Sequence, residues 1–104
     1  MRVEFSHVDQ ARMELRRGQL AMLNSRKGEA LYMFERAKSM ALERAVPYDE
    51  ALAYLELGMT SEDEATTTMY IYDAAKIFKR LGCDWHLRRC HAMLATRGIT
   101  VAAI

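Results

Sequence analysis

Cys83, His86, Cys90 and His91 are the residues whose types and spacing come nearest to a chemical site, and the chemistry would be zinc binding. A tetrahedral zinc needs thiolate and imidazole ligands that converge from at least two chain segments. Positions 83, 86 and 90 share one face of a helix, but His91 is turned about 100° away from Cys90. The remaining histidine, His7, has no companion cluster around it. Core cysteines and rim histidines are therefore expected, with no metal and no cofactor, unless two copies of the chain share a site. The same helix holds the two cysteines about 10 Å apart along its axis, too far for a disulfide with each other. Free thiols fit a reducing compartment, so a cytoplasmic location is expected.

Other reactive constellations are weaker. Ser6, Ser25, Ser39 and Ser61 have no base placed beside them by any motif, and three of them stand where helix caps or turns are expected. No glycine-rich phosphate loop and no HExxH pattern occurs, so the chain is read as not an enzyme. Basic residues gather at Arg12, Arg16 and Arg17 and again at Lys76, Lys79, Arg80, Arg88 and Arg89. Acidic residues are interspersed, and the formal net charge is only +1. That balance leaves no electrostatic footprint for nucleic acid or an anionic membrane. No apolar run approaches the roughly 20 residues of a spanning helix. A DNA-binding, transcription-linked helical regulator is the alternative reading, resting on the basic fifth helix.

The elements that must position these residues are all helical. Half of the residues are hydrophobic (51%) and 28% are charged, which suits one folded domain and not a disordered chain. Ala, Leu, Met, Glu, Arg and Lys dominate, all good helix formers, and the chain has a single proline. Five helices are expected. The first spans about 8–23 and the second about 27–45. The third starts at Pro47, where a proline costs no hydrogen bond, and stops at Gly58. Ser61 and Glu64 form a capping box for the fourth, which runs to Leu81 and ends at Gly82. The fifth covers about 84–97.

The helices repeat. Ala30-x3-Phe34 in the second matches Ala74-x3-Phe78 in the fourth, and each follows a shorter helix with a glycine, Gly18 or Gly58. Gly18, Ala30, Phe34 and Ala37 carry the small, small, aromatic, small order of the tetratricopeptide (TPR) signature, and the chain resembles that family over about 8–97. The segment from Phe78 to Trp85 is similar to repeat junctions in the C-terminal TPR arrays of large bacterial ATPase and transcription regulators. The resemblance implies an all-α fold of antiparallel helix hairpins stacked as an irregular TPR-like superhelix. Repeat one would span about 8–45, repeat two about 47–81, with a capping helix at about 84–97.

It also implies a protein-binding scaffold. The family's groove positions, carried over from Gly18 and Gly58, fall on Arg12, Leu15, Gln19, Met22, Leu23, Leu52, Leu55 and Met59. The groove is thus expected to be mostly apolar and to take a partner helix or an extended peptide. The subfamily that clamps acidic chaperone tails needs lysine and asparagine where Leu15, Gln19, Leu55 and Met59 stand, so such tails are not the expected partner. Stacked repeats usually need about three units to close a core. Two pairs and a fifth helix therefore imply either a module of a longer protein or a homodimer, with Phe5, Ile99 and Val101 as self-association residues.

Overall fold

The fold was analysed in a computed structural model, which describes residues 7–99, with side chains from residue 10 onward. It is all-helical: α1 (His7–Leu23), α2 (Lys27–Glu43), α3 (Pro47–Thr60), α4 (Glu64–Leu81) and α5 (Asp84–Ala95). Each helix packs on the next in the chain, and α1 also reaches α3. Contacts that step away from each turn show antiparallel pairing. In the first hairpin, Gly18 lies under Phe34 and Glu14 reaches Arg36. In the second, Gly58 meets Thr67 and Ile71, while Tyr48 meets Phe78. These are helix hairpins in a stacked arrangement.

The sequence periodicity explains what each helix buries. Ala30, Phe34, Ala37 and Ala41 form the buried stripe of α2, at the three- and four-residue spacing of one helix face. On α4 the buried set includes Thr67, Ile71, Ala74 and Phe78. Two clusters result, one around Phe34 and one around Phe78, and Leu52 packs against both. Phe34 can pack against α1 at this point only because position 18 has no side chain; a methyl there would overlap its ring.

Two local expectations are corrected. Gly58 does not end α3, which continues to Thr60. A Cβ at position 58 would lie 3.2 Å from Tyr70 and Ile71, so this glycine permits close helix approach. The cap of α4 is Asp63, whose carboxylate accepts from the Thr66 N–H at 3.0 Å. Ser61 instead accepts from the Asp63 N–H, so the expected Ser61–Glu64 box does not form.

Matching Ala30-x3-Phe34 to Ala74-x3-Phe78 implies a repeat of 44 residues, and this is also corrected. Helices α1 and α3 end at Leu23 and Thr60, α2 and α4 begin at Lys27 and Glu64, and α3 and α5 begin at Pro47 and Asp84. All three pairs share the offset of 37 that separates Arg12 from Asp49 and Gln19 from Glu56. At that offset Gly18, Ala30, Phe34, Ala37 and Ala41 match Leu55, Thr67, Ile71, Ala74 and Phe78, and all of these are buried. Ala45 and Gly82 match as well: both sit at positive φ (54° and 73°) past a helix end. The following N–H donates to Ala41 O in one case and to Phe78 O in the other, both at 2.9 Å. Phe34 and Phe78 therefore are not equivalent, and α5 takes the place of a third first helix.

Candidate partner-binding groove

Helices α1 and α3 run parallel and in register, because two side-chain pairs join them at the same offset. At one end the Arg12 guanidinium donates to Asp49 Oδ1, through Nη2 at 2.7 Å and Nε at 3.3 Å. At the other end the Gln19 amide donates to Glu56 Oε1 at 3.0 Å. Between them lies an open trough of about 300 Å³, lined by Arg12, Leu15, Arg16, Gln19, Tyr48, Leu52 and Glu56.

The Arg12–Asp49 end is the most constrained. Asp49 stands in the first turn of α3, where a carboxylate complements the helix dipole. It is fully buried, while the Arg12 side chain remains 43% exposed. Among the described residues, Asp49 Oδ2 has no hydrogen-bond partner. The Arg12 guanidinium also stands 5.6 Å from the centre of the Tyr48 ring, a cation–π contact.

Tyr48 connects the trough to the far end of the fold. Its hydroxyl and His86 Nε2 are hydrogen-bonded at 2.9 Å. The His86 ring stacks on Phe78 at 4.7 Å and receives the edge of Trp85. Burial, helped by the nearby Arg89 charge, holds the His86 pKa below its ordinary value. His86 is thus occupied in a ring cluster. Burial also pushes the Cys90 thiol up to about 11, while Cys83 is half-buried. Among the described residues no three His, Cys, Asp or Glu side chains converge as metal ligands would.

Of the expected groove residues, Arg12, Leu15, Gln19 and Leu52 do line the trough. Leu55 does not: it is buried in the core against α4. Met22 and Leu23 are exposed at the end of α1 without lining the trough, and Met59 lies exposed beside Arg89. The reason is phase. Matching Gly18 to Gly58 displaces the register by three residues, a rotation of about 60° on a helix, which turns Leu55 from core to groove. For the same reason the groove is not mostly apolar: Leu15 and Leu52 form its floor, and the rim is polar. Arg16, Tyr48 and Glu56 were missed, although the 37-residue offset pairs Gln19 with Glu56 directly. Of the expected self-association residues, Phe5 and Val101 lie outside the described residues. Ile99 packs on the second core cluster, and its N–H donates to Leu94 O at 3.1 Å, so its side chain is used within the chain.

No protein-family model matches the chain, and no curated protein or solved structure does so either. Among the described residues no helix is long and apolar enough to cross a membrane.

Proposed function

We propose that this chain is a TPR-like, non-catalytic scaffold that holds a partner protein in the trough between α1 and α3. The parallel, in-register pairing of these two first helices carries the reading. Such pairing turns the same positions of successive hairpins toward one surface, which is how stacked helical repeats present a binding face. The trough is at the small end of ligand-site volumes, so it suits one or two anchoring side chains of a larger partner.

The lining supports one kind of occupant. An apolar side chain would seat on Leu15 and Leu52. Arg16, which has no ion pair among the described residues, would meet a carboxylate or carbonyl of the partner. Gln19 and Glu56 offer an amide and a second carboxylate oxygen at the other end. An extended peptide segment with one apolar anchor and a flanking acidic residue fits this pattern. The two free thiols suit a reducing compartment, and a cytoplasmic location is part of the reading.

The test is capture from a cell extract by the immobilised chain, in parallel with the exposed-site double variant Arg16→Glu/Gln19→Lys. A captured protein retained by the wild type and lost by the variant supports the reading. Equal retention by both overturns the groove. Leu15 and Leu55 are unsuitable sites for such a test, because both are buried and a charge there would unfold the hairpins.

A further inference from the structure

Two side-chain contacts carry the inner face of the fold past the trough and onto α5. Tyr48 lines the trough, and its hydroxyl is hydrogen-bonded to His86 Nε2 at 2.9 Å. Farther along α3, Met59 Sδ accepts from Arg89 Nη2 at 3.7 Å. In the 37-residue register Arg89 stands where Leu15 and Leu52 stand on α1 and α3, and Trp85 stands where Tyr48 does. The floor is thus apolar between α1 and α3 and turns cationic on α5. Arg89 is exposed and makes no ion pair among the described residues. Trp85, one turn before it on the same helix, is 64% exposed, and Met59 is 40% exposed.

We propose that a peptide held in the trough continues across α3 onto α5, where Arg89 pairs with a second carboxylate and Trp85 and Met59 cover the apolar side chain beside it. The proposal rests on the trough reading and extends it from one anchor to two. Charge selects the occupant. Arg16 on α1 and Arg89 on α5 are cations with no ion pair among the described residues, and Glu56 stands on the helix between them. Separate carboxylates on a peptide match this alternation, whereas a continuous polyanion would meet Glu56. Spacing follows from the fold. Packed helix axes stand about 8–10 Å apart, and an extended chain advances about 3.3 Å per residue. The trough anchor and the residue over α5 are therefore about three positions apart.

Trp85 is the single tryptophan of the chain, so its emission reports on this surface directly. The probes are tryptophan-free peptides selected against the immobilised full chain from a random display library. Peptides whose binding is lost with Arg16→Glu/Gln19→Lys are expected to shift the Trp85 emission to shorter wavelength, as the indole leaves water. Arg89→Glu is expected to weaken them about fivefold or more. Arg88→Glu makes the same charge change at an exposed position turned about 100° on α5, and is expected to leave binding unchanged. Helix content by circular dichroism should be equal in the two variants. Trough-dependent peptides that leave both the Trp85 emission and Arg89→Glu binding unmoved overturn the extension and spare the trough. Peptides that move Trp85 but bind Arg16→Glu/Gln19→Lys as well as the wild type also overturn it, by placing a separate site on α5. Equal weakening by Arg88→Glu and Arg89→Glu overturns it too, since net charge alone would then explain the binding. A library that yields no binding peptide overturns the extension and the trough together.

Discussion

The buried carboxylate of Asp49 on α3 is held by the guanidinium of Arg12 on α1, at 2.7 Å and through a single oxygen. This pair fixes the first helices of two hairpins in register and forms one end of the trough. Removing one partner of such a pair costs more than removing both, because a lone buried charge has no compensation. Arg12→Ala is expected to destabilise the fold by about 2–4 kcal/mol, reduced from the fully buried case because Arg12 is half-exposed. The double variant Arg12→Ala/Asp49→Ala should lose clearly less than the sum of the singles. Urea unfolding of the four proteins measures both quantities.

Two small residues are expected to respond in opposite directions. Gly18→Ala places a methyl inside the Phe34 ring. The overpacking, about 1–3 kcal/mol, outweighs the gain of about 1 kcal/mol in helix propensity, so the variant should be less stable. Ala45 holds the left-handed conformation that Gly82 holds in the next unit. Ala45→Gly should raise stability by about 1 kcal/mol, because glycine adopts that conformation without strain. Thermal melts of the two variants against the wild type check both signs.

His86 should make stability fall in mild acid. Its folded pKa is lowered from the ordinary 6.5 by burial and then by Arg89. The unfolded chain therefore binds a proton before the native one does. The full contribution is present above about 6.5, and it is lost as pH falls from there to the folded value. Urea unfolding at pH 7.5 and at pH 5 should show this loss in the wild type and a smaller one in His86→Phe.

The two thiols should differ in reactivity. Cys90 is fully buried and its pKa is pushed up to about 11, so little thiolate forms near neutrality. Cys83 is half-buried. With a chromogenic disulfide reagent at pH 8, one thiol per chain should react promptly and the second only on unfolding. Prompt reaction of both would place Cys90 outside the core described above.

Most of the helices were legible in the sequence because their signals are local. Pro47 opens a helix, Gly82 closes one, and the alanine and phenylalanine spacing of α2 names its buried face. The register between hairpins was not legible in the same way. It is set by long-range packing, and a glycine can mark either a helix end or a close approach. Gly58 is the second kind, and taking it as the partner of Gly18 moved half of the groove by most of a turn. Asp49 shows the other gap: a first-turn aspartate reads as a helix-dipole residue, and only the fold brings Arg12 to it. Leu55 and Leu52 differ by less than a turn, yet one is core and the other floors the trough.

The central claim is that the trough between α1 and α3 binds a peptide segment of a partner. Peptides selected against the immobilised chain from a random display library can be titrated into the labelled protein and followed by amide shifts in two-dimensional NMR. The largest shifts should fall at Arg12, Arg16, Gln19, Tyr48, Leu52 and Glu56, and Arg16→Glu/Gln19→Lys should abolish them. Selected peptides that shift other surfaces and leave these six unmoved would contradict the account.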